Sequence, residues 1–485
     1  MILLIPLIYS FDSKFLYWLL QAIKIKMQKL EERPKVKIGL EIHVPINSRQ
    51  KLFCDCPTNY YEVEEPNINT CPVCTGMPGA KPFPINEYAL ESAVMIAKLL
   101  NCKIVNVKAF VKRKHYNYPD LPSGYQRTSD PIGTDGELSG IGIWEVHLEE
   151  DPGRYDLVTG RVDYNRSGVP LVEIVTAPDM KSPEDVRNFL KELMNLLRYT
   201  GRIIEVGGVM RADVNISLES GARVEIKNIN SVKGAYKAIK YEIMRQINLR
   251  KRGGVIRQET RGYNEKSMIT TAMRIKETTD DYRYIPDPDI PPLVLEKSFI
   301  EGIGLPETPQ NRKKRLIERY KIPEKYAQIL VREKELADLF EDVAPNTDPK
   351  IAADWICREV LRQLNYRGID LKESKLNSKI LIEVLKLIKD KKVTETTGKK
   401  ILERIIDSGE SPIDIVEKET LGRISKEDEL SMIVDDVISE NPEAVQDYES
   451  GKKRALNFLM GQVMRKMNGR ADAEVVIRLL MEKLG

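Results

Sequence analysis

Residues 37–44 read KIGLEIHV, and the fold turns on how this stretch is read. Ile38, Leu40, Ile42 and Val44 alternate with Glu41 and His43. A period of two belongs to a half-buried strand, with the aliphatic side chains on one face and Glu41 and His43 together on the other. Residues 169–176 (VPLVEIVT) and 223–228 (RVEIKN) have similar strand character. Between them lies a helix marked at both ends. Ser182 is a capping residue, Pro183 suits the first turn, and Glu184 and Asp185 sit at the positive end of the helix dipole. Val186, Phe189, Leu190, Leu193, Leu196 and Leu197 then recur at helical spacing until Gly201 supplies the stop. A second helix is predicted from about Val232 to Arg250, with Tyr236, Ile239 and Ile243 on one face. The run DPDIPP (287–292) closes this block, because its prolines continue neither a helix nor an inner strand.

After Pro292 the pattern changes. Residues 307–407 have helical periodicity with few β signals, and 425–485 read as further helices punctuated by Asn441-Pro442 and Gly469. The expected fold is α+β: a mixed α/β cradle over 35–294, an all-α domain over 295–410 and an all-α tail over 411–485. Residues 1–34 are set apart as an N-terminal extension. Its two apolar runs, split by Asp12 and Lys14, fall short of the ~20 apolar residues needed to cross a bilayer. It has neither a basic lead-in nor a small-residue cleavage site, so a secretory signal is poorly supported. Phe15, Leu16, Leu19, Leu20 and Ile23 would suit an anchor or partner helix; the plainer reading starts the native chain at Met27. No membrane association and a cytoplasmic location are expected.

Composition narrows the class further. With 76 basic and 73 acidic residues among 485, global charge gives no reason to expect a polyanion partner, so any such argument must rest on local clusters. Six cysteines in so long a chain do not make a disulfide-stapled secreted protein. Four of them, Cys54, Cys56, Cys71 and Cys74, form a CxC…CxxC pattern whose second half, CPVCTG, is typical of a zinc knuckle. Four thiolates make a closed, structural tetrahedral site; an iron–sulfur cluster, a disulfide or free thiols are the alternatives. Cys102 and Cys357 stand alone and are expected in cores.

Acids interrupt the apolar strands. Glu41 shares a face with His43, Glu149-Glu150-Asp151 follows His147, Glu173 lies inside VPLVEIV, and Asp213 lies in RADVN. Burying a lone acid is costly unless it is paired, protonated or metal-bound, and several together need a cation. Magnesium, which takes oxygen ligands and bridges to phosphates, fits such a pocket. A solvated group or a salt-bridge partner is the plainer reading of any single one. In the tail, Lys452, Lys453, Arg454, Arg465, Lys466 and Arg470 lie in a stretch without acids, which suits either an RNA backbone or a solvated basic face.

Several long motifs resemble one family. KIGLEIHV (37–44), CPVCTGMPGA (71–80), RKHYNYPDLPSGYQ (113–126), DYNRSGVPLVEIV (163–175), EIKNINS (225–231), DYRYIPDPDIPPL (281–293) and RALNFLMGQVMRKMNGRAD (454–472) are similar to the B subunit of aspartyl/glutamyl-tRNA amidotransferases, the GatB family. The resemblance runs from Lys35 to Gly485. It implies an ATP-dependent ligase that phosphorylates the side-chain carboxylate of mischarged Asp-tRNA or Glu-tRNA. Ammonia from a partner amidase, the A subunit, then displaces the phosphate, and a small C subunit completes the complex. By the same resemblance His43, Glu150 and Glu173 match magnesium-binding residues, with Glu41 and Asp213 beside them as further catalytic candidates. The four cysteines match a structural zinc site of some members, and Lys114-His115-Tyr116 falls in a motif facing the reaction pocket. ATP and Mg2+ are the implied cofactors, with Zn2+ structural, and the basic tail is the implied tRNA contact.

The sequence departs from the family at Pro45, where glutamine is usual, and at Val206-Gly207-Gly208-Val209, where an acidic run is usual. A related E subunit would need an inserted domain for which 485 residues leave little room. A non-enzymatic zinc-containing RNA-binding module is the other alternative. A self-sufficient amidase is disfavoured, since there are three histidines and no nucleophile setting with a matching base. No Walker-type glycine loop marks the ATP contacts.

Overall fold

The computed structural model describes residues 35–485 except 106–107, 117, 157, 206–209, 219–220, 276–282, 420–423 and 425–426. The N-terminal extension and the 206–209 run therefore lie outside the described residues. The strands are β1 (Val36–Pro45), β2 (Lys103–Ile104), β3 (Val111–His115), β4 (Tyr125–Ser129), β5 (Gly133–Leu138), β6 (Ile141–Glu150), β7 (Arg154–Tyr155), β8 (Val162–Asp163), β9 (Pro170–Thr176), β10 (Arg211–Leu218), β11 (Val224–Ile229), β12 (Glu259–Asn264), β13 (Ile269–Ile275) and β14 (Ile285–Pro286). Twelve of them form one sheet in the order β13-β12-β11-β10-β1-β9-β6-β4-β3-β14, with β5 joined to β6 and β2 to β5. β11 and β12 pair parallel, and β1 lies antiparallel between β9 and β10. The KIGLEIHV strand is thus central, and its Ile38, Leu40, Ile42 and Val44 are buried as the alternation demands.

Helices α1 (Glu87–Leu99), α2 (Pro183–Thr200) and α3 (Val232–Lys251) belong to the first unit, with a short helix at Lys297–Gly302. α1 packs on β5 and β6, α3 packs on β10 and β13, and α2 lies against α3, so helices cover the aliphatic side of the sheet. α2 has the marked ends read from its sequence. Ser182 accepts a hydrogen bond from the Asp185 N–H, and Gly201 closes the helix with φ near 63°. The six apolar residues predicted for its inner face are all buried, each contributing on the order of 1.5–3 kcal/mol of transfer free energy. α3 departs from expectation. Ile239 is buried, but the inner row continues through Glu242 and Gln246 rather than Ile243. Glu242 is satisfied there by Arg245, Gln246 and Thr270, so the buried charge has the partners it needs.

The first compact unit runs to Pro306, because Leu295 and Ile303 join its core. The second, Glu307–Gly485, holds two separate apolar clusters, one from Leu316 to Ile415 and one from Leu430 to Leu480. The second cluster is built by α4 (Glu427–Glu440), α5 (Pro442–Glu449), α6 (Arg454–Lys466) and α7 (Ala473–Leu484). Pro442 opens α5 and Gly469, with φ near 81°, follows α6, the two breaks expected from sequence. Among the described residues no helix is long and apolar enough to cross a membrane.

Candidate active site

The face of the sheet opposite the helices is charged, and strand register shows which groups share it. Across β1 and β9, His43 lies opposite Glu173; across β6 and β9, His147 lies opposite Glu173; across β1 and β10, Glu41 lies opposite Asp213. Residues directly opposite in a pair, and residues two apart along a strand, point the same way. Glu41, His43, His147, Glu149, Glu173 and Asp213 therefore converge.

Two groups result. In the first, His43 Nε2 lies 3.4 Å from Glu173 Oε1 and 4.0 Å from Glu149 Oε2. Glu149 also accepts a hydrogen bond from Gln126 Nε2 at 3.1 Å, and the Tyr116 hydroxyl donates to Gln126 Oε1 at 2.8 Å. Burial and the Glu173 charge push the Glu149 carboxyl above its usual range. Burial opposes the charge on Glu173 too, but His43, Lys114 and His147 outweigh it and hold that carboxyl well below the usual range. Lys114 is held charged in spite of its burial by Glu149 and Glu173. His147 bonds Glu145 and the Ser129 carbonyl, and against the pull of burial these contacts and nearby carboxylates push it up to about 9.

In the second group, one oxygen each of Glu41, Asp213 and Glu225 falls within 4.8 Å of the others. Lys227 Nζ lies 2.9 Å from Asp213 and 3.4 Å from Glu225, and Asn215 Nδ2 donates to Glu41 at 2.9 Å. Burial first, then Glu173 and Asp213, push the Glu41 carboxyl up.

The structure brings Glu41, His43, Glu173 and Asp213 to one face but not Glu150. One step beyond Glu149 on β6, Glu150 points to the other side, where Arg127 Nη1 lies 3.2 Å from its Oε2. Arg127 and Arg113 in turn hold Asp287 through three hydrogen bonds of 2.8–2.9 Å. Glu149 occupies the place expected for Glu150. Counting in twos from His147 along β6 puts Glu149, not Glu150, on the face of His43 and Glu173. Glu225 and Lys227, which alternate within EIKNINS, join the second group.

The first group suits a divalent ion. An ion with bonds near ~2.1 Å keeps its ligand atoms within about 4.2 Å of one another, and the two His43 distances satisfy this. Two carboxylates and one imidazole make a largely hard donor set, with His43 the one nitrogen ligand.

The four cysteines also converge, on the loops before α1. Cys74 Sγ lies 4.0 Å from Cys56 Sγ and 3.9 Å from Cys71 Sγ, close to the ~3.8 Å edge of a tetrahedral site with 2.3 Å Zn–S bonds. None is in a disulfide. The Cys71 N–H points at Cys74 Sγ at 3.2 Å, and the buried Lys51 Nζ stands 3.4 Å from the same sulfur. A hydrogen bond from Cys54, aided by Lys51, brings the Cys74 thiol down to about 5. Gly76 has φ near 64° and lies so close to Ser123 that a Cβ would fall 2.8 Å from its backbone nitrogen, so glycine is required at this turn.

In the tail, Lys452 pairs with Asp447 and Lys466 with Glu440. Arg470 is half-buried, while Lys453, Arg454 and Arg465 are exposed.

A sheet with a carboxylate–histidine face, carried ahead of a helical tail, matches the GatB/GatE catalytic domain over residues 36–301, and residues 338–484 match the GatB domain. Relatives named as the B subunit of aspartyl/glutamyl-tRNA(Asn/Gln) amidotransferase extend the match to nearly the whole chain. That of Methanopyrus kandleri is 52% identical over 93% of this chain and 98% of its own. That of Methanocaldococcus jannaschii is 53% identical over the same shares, and that of Methanothermobacter thermautotrophicus 52% identical over 93% and 100%. The chain belongs to the family of aspartyl/glutamyl-tRNA(Asn/Gln) amidotransferase B subunits.

Proposed function

We propose that this chain is the activating component of an ATP-dependent, glutamine-using tRNA amidotransferase, a carbon–nitrogen ligase of the cytoplasm. It phosphorylates the side-chain carboxylate of mischarged Asp-tRNA or Glu-tRNA and passes the product to ammonia from a partner amidase, the A subunit, with a small C subunit in the complex. A carboxylate resists attack by ammonia because its leaving group would be oxide; an acyl phosphate removes that obstacle. The observation that carries this reading is the convergence of His43, Glu149 and Glu173 beside Lys114 on one open sheet face.

Phosphoryl transfer asks little covalent chemistry of a protein and much charge neutralisation. His43, Glu149 and Glu173 would hold Mg2+, which when bound supplies charge neutralisation at the phosphate oxygens. Glu41 and Asp213, braced by Asn215 and Lys227, form the flank of the same face. Lys114, charged and poised beside the acids, is suited to an anionic oxygen of the substrate. Tyr116 fixes Gln126, and Gln126 fixes Glu149, so the motif containing Lys114 both lines the pocket and orients a ligand. Cys54, Cys56, Cys71 and Cys74 would hold a structural Zn2+, and Lys452, Lys453, Arg454, Arg465, Lys466 and Arg470 would face the tRNA backbone.

The test is reconstitution. The chain with its A and C partners, each mischarged tRNA, ATP and glutamine should give amidated tRNA and consume ATP only when acyl-tRNA is present. Metal-dependent tRNA binding without ATP consumption would overturn the enzymatic reading.

A further inference from the structure

The tail carries a feature that charge alone does not explain. Phe458, on α6, is 48% exposed. The buried arc of α6 is made by Ala455, Leu459 and Val463, while Arg454, Asn457, Phe458, Gly461 and Arg465 are exposed. Their spacings of three, four, seven and eleven residues put them on a single stripe of the helix. The two arginines stand at its ends, ~16 Å apart along the axis, and neither has an acidic partner among the described residues. Gly461 lies between them with nothing within 4 Å of where its Cβ would be. Glycine is a poor residue for a helix interior, and no internal packing requires it here. It leaves the stripe flat beside the phenylalanine.

The neighbouring helices have the opposite sign. α4 carries Glu427, Asp428, Glu429, Asp435, Asp436 and Glu440 without a basic residue, and α5 carries Glu443, Asp447 and Glu449. A polyanion is attracted to α6 and repelled by α4 and α5. The apolar neighbours of Phe458 on the helix, Leu456 and Met460, are packed into the tail core. On α6 itself the exposed apolar group is thus one aromatic ring between cations, while Met432 on α4 and Met481 on α7 are the other exposed large apolar side chains over 427–485 among the described residues. A ring framed by arginines is the composition of a platform for nucleic-acid bases, where stacking acts with backbone contacts.

We propose that Phe458 is a base-stacking contact for tRNA, with Arg454 and Arg465 gripping the backbone on either side and Gly461 allowing the RNA to approach the helix. This rests on the reading of the tail as a tRNA-binding module, and it adds a contact that is independent of salt.

The experiment is equilibrium binding of tRNA by the assembled complex at several salt concentrations. Phe458→Ala should weaken binding roughly tenfold with the salt slope unchanged, and Phe458→Trp should retain affinity. Arg454→Gln with Arg465→Gln should instead reduce the magnitude of the slope by about 1.4 to 1.8. Gly461→Leu should raise the thermal stability of the chain yet weaken binding, the opposite of what a purely structural glycine would do. Wild-type affinity in both Phe458→Ala and Gly461→Leu would overturn the stacking contact while leaving a tRNA-binding tail standing. Loss of a partner protein from the Phe458→Ala complex would assign the stripe to protein instead and overturn it equally. If the wild-type complex binds no tRNA, or removing 427–485 from it leaves affinity intact, the reading of the tail itself fails.

Discussion

At one edge of the sheet, Arg113 and Arg127 give Asp287 three hydrogen bonds, and Arg127 reaches on to Glu150. At its centre, Glu149 and Glu173 share His43, and Glu41, Asp213 and Glu225 share Lys227. Both regions are dense in charge and largely withdrawn from water. In the first, two guanidiniums meet three acids, Asp287, Glu150 and Asp289, and Lys81 stands 3.8 Å from Asp289, so the circuit closes on itself. In the second, five carboxylates face two lysines and two imidazoles, those of His43 and His147. Burial first, and then the Glu173 charge, raise both the Glu41 and the Glu149 carboxyls, while His43, Lys114 and His147 hold Glu173 itself down. On the proposed function the closed circuit stabilises, whereas the central cluster would receive a cation and the phosphates it brings. High charge density by itself does not mark a site, whereas charge left unmatched within the protein does.

The largest expected effect breaks the open cluster. Glu149→Ala or Glu173→Ala should lower the rate of tRNA amidation by the complex about a thousandfold, in the range seen when a key electrostatic partner of a transition state is removed. Thermal stability should hold or rise in Glu149→Ala, whose carboxyl burial pushes up, but fall in Glu173→Ala, which strips His43, Lys114 and His147 of the carboxylate that balances them. Full activity in Glu149→Ala would erase the distinction between the two regions.

Breaking the closed circuit should do the reverse. Asp287→Ala leaves Arg113 and Arg127 without their shared acceptor and should cost ~3–5 kcal/mol of stability, measured by denaturant unfolding. The pH dependence gives a second handle. Burial resists charge on Asp287, but the hydrogen bonds from Arg113 and Arg127 outweigh it and hold the carboxyl below the usual range. The native state therefore favours the charged form. The resulting stabilisation is complete above the unfolded value near ~3.9 and is lost as pH falls through the lower folded value. The stability gap between wild type and Asp287→Asn should be full at neutral pH and shrink below about pH 4.

On the proposed reading the cysteine site is closed in another sense, since Cys54, Cys56, Cys71 and Cys74 would hold a structural metal. Cys74→Ser should remove close to one zinc per chain by elemental analysis and lower the thermal midpoint by several degrees. Amidation at a permissive temperature should fall far less than in Glu149→Ala. Loss of activity equal to that of the glutamate variants would move this site from scaffold to chemistry.

What was legible in the sequence follows the range of the interactions involved. The strand at 37–44 and helix α2 were readable because period and capping are local: six apolar residues and Ser182 sufficed for α2. Glu41, His43, Glu173 and Asp213 could be named because acids inside apolar strands are conspicuous. Their convergence could not be read, because it depends on β1 lying between β9 and β10, a pairing of segments more than a hundred residues apart in sequence. α3 misled in the opposite way. Its buried row contains Glu242 and Gln246, whose partners Arg245 and Thr270 make polar residues look apolar to the fold but not to a hydropathy pattern.

The smallest effect separates neighbours. Glu149 and Glu150 are chemically identical, and a doublet such as His-Leu-Glu-Glu offers both to a motif. The pleat does not: it turns Glu149 toward His43 and Glu150 toward Arg127. Glu150→Gln removes one ion pair, but also a carboxylate that burial already pushes above its usual range, with Arg127 offsetting only part of that shift. Loss and relief oppose one another, so stability should move by no more than about 1 kcal/mol. Amidation should fall by less than ~10-fold, through a small displacement of the strand that carries Glu149. A thousandfold loss in Glu150→Gln with an intact Glu149→Ala would reverse the assignment of the doublet, and with it the rule that unmatched charge locates the chemistry.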